Sequence, residues 1–172
     1  METKIEVPKI EDFKIEIDEY KEKYAKELSE IILSNMYTIN IKDYGKDIID
    51  KLSKHFTEDE IKKNFPNRRK CFVAVEDNEV VGTASIDKYR GDESETKYII
   101  LTVFIKIEKH HQGIGKNLIK RIEQYANSIN IKELIIPASI YAVEFYRKLG
   151  YDYLDGKKEL NEDNVYVLVK YL

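Results

Sequence analysis

Apolar and polar residues follow two different periods along the first third of the chain. In residues 13–20 apolar and charged positions alternate, which is the period of a half-buried strand. Apolar positions then recur at helical spacing, so an amphipathic helix is predicted from Asp18 to about Asn35. A polar stretch with aromatic residues separates this helix from a second one, predicted from about Gly45 to Lys54.

A third helix is predicted to begin at Thr57. Thr57 and Glu60 form the pattern Thr-x-x-Glu, in which each side chain caps a backbone N–H group of the other residue. The helix should end before Pro66, because the residue that precedes a proline avoids the helical region. The basic run at residues 68–70 is predicted to form a solvated turn.

From Lys70 onward the pattern changes to short runs of β-branched and apolar residues. Two of these runs, Cys71–Val75 and Val80–Ile86, flank a tight polar turn and are predicted to form a hairpin. The run Tyr98–Ile107 is longer, so a central strand is expected there.

A strand–helix–strand unit is predicted to begin with this central strand. A helix over Asn117–Ser128 connects the central strand to a buried strand at Glu133–Ala138, and a crossover of this kind makes the two strands parallel. A short helix, Ile140–Leu149, ends at Gly150 as its left-handed C-cap. A closing hairpin ends with the strand Val165–Leu172, whose exposed edge could pair with a second subunit.

Composition narrows the class of protein. The 172 residues fit one α/β domain spanning residues 1–172, and 42% apolar with 35% charged residues excludes a disordered chain. No apolar run is long enough to cross a membrane. The single cysteine, Cys71, and the absence of an apolar signal-peptide core favour a cytoplasmic location. The net charge of −3 argues against binding to nucleic acid.

The segment with the most chemical information is Ile105–Lys116, where a strand ends, a loop passes Gly113 and Gly115, and a helix begins. Free backbone N–H groups and the positive end of the helix dipole can bind a phosphate there, with Lys116 adding charge. The alternative is a tight turn that needs glycine only for its geometry. The spacing matches neither the dinucleotide fingerprint nor the P-loop.

A second segment, Ser139–Tyr151, combines a possible N-cap serine with aromatic residues around the end of a helix. Taken alone, these aromatic residues could simply pack in the core.

Together the two segments resemble the GCN5-related N-acetyltransferase (GNAT) superfamily. That family has the pattern V-x-P-x-x-R/Q-x-x-G-x-G/A at the end of its fourth strand, and IKIEKHHQGIG stands here at residues 105–115. Its second pattern, N-x-x-A-x-x-F-Y-x-K-x-G-F/Y, corresponds to SIYAVEFYRKLGY at residues 139–151. The resemblance is strong over Cys71–Leu154.

Three positions depart from these patterns: Ile107 replaces the proline, His110 the arginine or glutamine, and Ser139 the asparagine. Because the family's contacts in the loop are largely made by backbone N–H groups, the first two changes should be tolerated. Ser139 can still offer an oxygen to the pantetheine arm.

The resemblance implies the GNAT fold, a mixed and mostly antiparallel sheet with helices on both faces and one parallel strand pair splayed to hold acetyl-CoA. No metal site is expected, because adjacent side chains such as those of His110 and His111 rarely chelate one ion together and His55 is the only other histidine. The pantetheine would pair with the backbone around Ile105 and Ile107, and the pyrophosphate would rest on residues 111–116. The implied cosubstrate-binding residues are Phe104, Ile105, Ile107, His110, His111, Gln112, Gly113, Ile114, Gly115, Lys116, Ser139 and Tyr146.

The resemblance also implies direct transfer of the acetyl group to an amine, with Tyr146 as the general acid for the leaving thiolate. A backbone N–H near Phe104 or Ile105 would stabilise the oxyanion. The general base stays open between Glu95, Tyr98 and His110.

The acceptor amine would belong to a small molecule or a peptide. Tyr37, Asp43 and Tyr44 lie where the family forms its acceptor wall, although they could equally pack a loop. The alternative function is a non-catalytic sensor that binds acyl-CoA on the same fold. A homodimer is a further expectation.

Overall fold

The computed structural model of the protein describes residues 15–172, so Phe13, which the pattern placed in the first strand, lies outside the described residues. The strands are β1 (Ile15–Glu19), β2 (Lys70–Glu76), β3 (Glu79–Lys88), β4 (Lys97–Ile105), β5 (Glu133–Ala138), β6 (Asp152–Tyr153) and β7 (Tyr166–Tyr171). The α-helices are α1 (Ala25–Asn35), α2 (Ile41–Tyr44), α3 (Lys46–Ser53), α4 (Glu58–Asn64), α5 (Ile114–Ser128) and α6 (Val143–Lys148).

Within residues 15–172 the strands form one sheet in the order β1-β2-β3-β4-β5-β7-β6. Neighbouring strands are antiparallel except β4 and β5, which are parallel and are connected through α5. Helix α5 covers one face of the sheet, and α1 and α4 cover the other. The predicted fold class is therefore confirmed.

Alternation along β2 divides the core into two layers. Phe72 packs with Leu118 and Ile122 beneath α5, whereas Val73 packs with Leu28 on the opposite face, beneath α1 and α4. Successive side chains of a strand point to opposite faces, so the apolar run Cys71–Val75 within β2 supplies both layers.

The first predicted helix begins later than its periodicity indicated. Helix α1 starts at Ala25 rather than Asp18, because residues 15–19 pair with β2 and the Tyr24 hydroxyl donates to the Asp18 carboxylate at 2.7 Å. The polar stretch that follows is also helical, since Met36–Asn40 forms a wide π-helical turn that joins α1 to α2. Apolar periodicity did not predict this turn.

Helix α4 begins as predicted, with Thr57 Oγ1 accepting the Glu60 N–H at 3.3 Å. The second contact of the predicted capping box is not formed, since the Glu60 carboxylate accepts from Asn64 Nδ2 at 2.9 Å and not from the Thr57 N–H. The helix ends at Asn64, and Pro66 lies in the 3₁₀ turn that follows.

Two later helices have other starting points than predicted. Helix α5 begins at Ile114 rather than Asn117, because Gly113 adopts the left-handed conformation that allows a helix to start directly after it. Helix α6 begins at Val143 rather than Ile140, since residues 139–142 form a separate turn.

The closing hairpin is confirmed, but the prediction that β7 is an exposed edge is wrong. β7 lies between β5 and β6, because residues 152–153 return alongside Leu168 and Val169. The strand that was expected to pair with a second subunit in a homodimer is therefore not at the edge of the sheet. No helix within residues 15–172 combines the length and the apolar character needed to cross a membrane.

Candidate active site

A cleft opens where β4 separates from β5. The two strands pair only at Lys97–Ile99 with Glu133–Ile135. Beyond these pairs a cavity of about 210 Å³ lies between them, bounded by β4, β5, the turn before α6 and residues of the segment 36–52. The described chain thus contains the splayed parallel pair that the resemblance implied.

A β-bulge in β4 lies at this separation. Between two regular pairs with β3, Thr102 and Val103 together oppose the single residue Ala84. Thr102 has a φ of 54°, in the left-handed region that β-branched residues rarely adopt. Because the bulge adds one residue, the alternation of backbone N–H and C=O directions along β4 shifts by one position after it.

After the bulge, the N–H groups of Val103 and Ile105 face the cleft. Lys106 N donates to Val81 O of β3 at 2.8 Å. Because backbone groups alternate sides along a strand, the backbone of Phe104 also faces β3, and its two neighbours face the open side. Of the two oxyanion donors predicted from the sequence, only the Ile105 N–H is directed into the cleft.

Pro137 stands on the edge of β5 that faces the cleft. Glu133 N donates to Thr96 O, just before β4, at 3.2 Å. Alternation places the nitrogen of Pro137 on the same edge, and proline has no N–H to extend the ladder. Pro137 is therefore a marker in the sequence of the point where the two strands separate.

Tyr146 forms part of the cleft wall and is 6% exposed. Burial raises the pKa of its phenol, with no neighbouring charge contributing, so the hydroxyl keeps its proton at neutral pH. The ring packs edge-on against Phe145 and Tyr151, with centroid distances of 5.0 and 6.3 Å. Ser139 lines the same cavity, and its Oγ accepts the Ala142 N–H at 3.2 Å.

The first turn of α5 presents backbone N–H groups that have no acceptor in the helix. Gly113 is the N-cap of α5 with a φ of 83°, and His111 has a φ of 62°. The helical bonds begin with Asn117 N to Gly113 O at 3.1 Å, so the N–H groups of residues 114–116 have no acceptor in the helix.

The side chains of this loop contribute less than its backbone. Ile114, the first residue of α5, is buried in the core, and Gln112 Nε2 donates to Glu108 O at 3.4 Å. Lys116 is exposed in the first turn of the helix. An anion placed at this turn would meet backbone donors with one lysine at the rim.

The two glycines of the loop are required for different reasons. Nothing lies within 4 Å of a Cβ added to Gly113, so only its conformation calls for glycine. A Cβ on Gly115 would lie 3.0 Å from Phe145 Cζ, so this position is small because α5 packs against α6. The pattern Gly-x-Gly therefore combines a conformational requirement with a packing requirement.

His110, at the family's arginine or glutamine position, forms a hydrogen bond with the last residue of β4. Its Nε2 donates to the Ile105 carbonyl at 2.9 Å, and Asn35 Nδ2 donates to the same oxygen at 2.8 Å. The Ile105 carbonyl is thus occupied, and its N–H remains for pairing. Ile107 lies in the 3₁₀ turn after β4, outside this cleft. The buried Asn35 carries no sequence motif, so the sequence did not reveal it.

Of the three residues predicted for the acceptor wall, the structure places only Tyr44 in the cleft. Tyr37 is exposed, and its hydroxyl donates to Asp50 Oδ1 at 2.8 Å. The Asp43 carboxylate accepts the Tyr141 N–H at 3.3 Å. Burial raises the pKa of the Tyr44 phenol, and the nearby carboxylates add to the rise.

The rest of this wall is mainly apolar. Met36 and Asn40 come from the π-helical turn, and Ile49 and Leu52 come from α3. The sequence did not identify these residues, because apolar side chains at helical spacing look the same whether they line a cleft or fill a core.

None of the three residues predicted as the general base is among the described residues that line the cleft. Glu95 pairs with Lys88 at 2.7 Å in the loop before β4, and Tyr98 is buried in the core beneath α5. His110 is bonded to Ile105 as described. Among the described residues that line the cavity there is no Asp or Glu. In residues 15–172 no three His, Cys, Asp or Glu side chains converge on a possible metal position.

Comparison with known proteins agrees with this geometry. A profile of the acetyltransferase (GNAT) domain matches residues 40–168. A search of curated proteins found no match.

Several solved structures have a similar fold. The PaiA N-acetyltransferase of Thermoplasma acidophilum, in complex with coenzyme A, is 17% identical with a TM-score of 0.78 over 92% of this chain and 99% of that one. A GNAT-family acetyltransferase of Staphylococcus aureus Mu50 is 20% identical with a TM-score of 0.70, over 92% and 99%. One from Brucella melitensis, in complex with acetyl-CoA, is 16% identical with a TM-score of 0.62, over 92% and 88%. With the family profile covering most of its length, this chain belongs to the GNAT acetyltransferase family.

Proposed function

We propose that the protein transfers the acetyl group of acetyl-CoA to a primary amine by direct attack, in the cleft between β4 and β5. The observation that carries this proposal is the buried, protonated phenol of Tyr146 in the wall of a cleft that opens beside the N–H groups of Val103 and Ile105.

The residues along the cleft fit the parts of this cosubstrate. Its diphosphate matches the unbonded N–H groups of residues 114–116 and the positive end of the α5 dipole. The pantetheine arm, which carries amides, can accept from the open N–H groups of β4 and lie along it as an added strand. The turn at Ser139 forms the opposite side of the channel.

Acetyl-CoA supplies an activated acyl carbon with a thiolate as leaving group. The amine nitrogen bonds to that carbon as the C–S bond breaks, and Tyr146 donates its phenolic proton to the departing sulfur. The Ile105 N–H stabilises negative charge on the carbonyl oxygen. Because no carboxylate lines the cavity, the proton lost by the amine passes to water.

The acceptor is an amine with an apolar body. It enters along Met36, Ile49 and Leu52, and burial against such a wall favours alkyl or aromatic amines. Cationic groups elsewhere in the acceptor would lose hydration there without a carboxylate partner. Hexylamine should therefore be a better acceptor than 1,6-diaminohexane, which has the same chain length.

Replacing Tyr146 tests the proposed acid. Tyr146→Phe keeps the ring and removes the proton, so kcat for thiol release with an accepted amine should fall roughly 10²-fold while coenzyme A still binds. Tyr171→Phe, a substitution in β7 at an exposed ring, is the matched control. Wild-type kcat in Tyr146→Phe would rule out its acid role.

A non-catalytic sensor of acyl-CoA is the second candidate. The lack of a carboxylate in the cavity favours it, because an enzyme must also remove a proton from its amine. Tight binding of acetyl-CoA without thiol release across alkyl, aromatic and peptide amines would support the sensor and contradict the transferase.

A further inference from the structure

Arg68 is not part of a solvated basic turn, as its neighbours in sequence suggested. Its side chain is half-buried beneath the sheet, and the guanidinium lies on the Phe65 ring with Cζ 4.3 Å from the ring centroid. Arg69, the next residue, is exposed. A half-buried guanidinium loses hydration, so its hydrogen bonds must compensate.

Those hydrogen bonds join the two strands at the β4 bulge. Nη1 of Arg68 donates to Ser85 Oγ on β3 at 2.9 Å and to Thr102 Oγ1 on β4 at 2.7 Å. Ser85 Oγ in turn donates to Cys71 Sγ at 3.2 Å, so this acceptor is itself held in place. Bonds from a charged donor are stronger than neutral ones, and one nitrogen shared by two strands restricts their separation.

Thr102 occupies a conformation that needs such a restraint. Its φ of 54° is unfavourable for a β-branched residue and persists only where surrounding contacts impose it. The bulge that depends on this conformation directs the N–H groups of Val103 and Ile105 into the cleft. Arg68 itself is not among the residues that line the cleft.

We propose that Arg68 is a positioning residue, which holds Thr102 and thereby keeps the bulge in the shape that presents the N–H groups of β4 to the cosubstrate. This role rests on the proposed function, because those N–H groups need alignment only if they bind the arm of acetyl-CoA.

Calorimetric titration with coenzyme A tests this role without knowledge of the acceptor. Arg68→Met keeps most of the aliphatic part of the side chain but removes the guanidinium, and with it the two hydrogen bonds and the contact with Phe65. Because misplaced binding groups are costly, we expect Kd to rise about tenfold. In a Thr102→Gly background the same substitution should raise Kd by less than about threefold, since glycine adopts positive φ without a restraint. Arg69→Met removes the adjacent exposed charge and should keep the wild-type Kd.

Several outcomes would overturn the positioning role. An unchanged Kd in Arg68→Met would do so, as would an equal loss in the Thr102→Gly background. A lower melting temperature with an unchanged Kd would show a purely structural role. If Arg68→Met does not fold, Thr102→Val removes the acceptor on the bulge while keeping a β-branched side chain, and a Kd unchanged by it contradicts the proposal. Failure of the wild-type chain to bind coenzyme A would instead overturn the proposed function, and the positioning role with it.

Discussion

Gly113→Ala isolates the conformational role of the first glycine in the loop before α5. Gly113 has a φ of 83°, and nothing lies within 4 Å of an added Cβ, so the substitution introduces no clash. The remaining cost is that of holding alanine in the left-handed region, about 1–2 kcal/mol. For a chain of this size, where 1 kcal/mol corresponds to roughly 2–4 °C, the melting temperature should fall by about 2–8 °C.

Urea denaturation and thermal unfolding measure this cost. Gly113→Asn is the matched control, because asparagine tolerates the left-handed region although its side chain is larger. It should therefore lower the free energy of unfolding less than Gly113→Ala does. If alanine leaves stability unchanged, or if asparagine is the more destabilising of the two, the positive φ is not the reason for this glycine.

Two further predictions concern the sheet and its first helix. A Cβ on Gly82 would lie 2.7 Å from Ile105 Cδ1 and 3.0 Å from the Phe104 carbonyl, so Gly82→Ala should cost about 1–3 kcal/mol by overpacking. An unchanged melting temperature would show that β4 yields to the added methyl group. The hydrogen bond to Asp18 raises the pKa of the Tyr24 phenol to about 12, above its value near 10 in the unfolded chain. The contribution of this hydrogen bond to the free energy of unfolding is fully present below about pH 10 and is lost as the pH rises through about 12. The difference in unfolding free energy between the wild type and Tyr24→Phe should shrink over that interval, and a constant difference would contradict the linkage.

Local features of the fold could be predicted because the residues that cause them are neighbours in sequence. The hairpin of β2 and β3 follows from two apolar runs around a polar turn. The start of α4 follows from Thr57, whose side chain reaches a backbone group three residues away. The unbonded N–H groups in the first turn of α5 follow from Gly113 and the helix start. Each requires no knowledge of distant contacts.

The acceptor side of the cleft could not be predicted in the same way. Tyr37 and Asp43 carry functional groups suited to an amine, but the path of the π-helical turn directs them to Asp50 and to the Tyr141 backbone. The apolar Met36 faces the cavity instead. A side chain's chemistry was visible in the sequence, whereas its direction depended on how α1 bends into α2.

The sequence by itself determined the family, the order of the elements and the loop that can hold an anion, because short motifs and apolar periods are local properties of the chain. Only the tertiary structure decided the details of the cleft. The bulge at Thr102 depends on pairing with another strand, the hydrogen bond from Arg68 to Thr102 joins residues 34 positions apart, and the bond from Asn35 to the Ile105 carbonyl joins residues 70 positions apart. Such contacts form only after the sheet has brought its strands and helices together, so no local pattern could specify them.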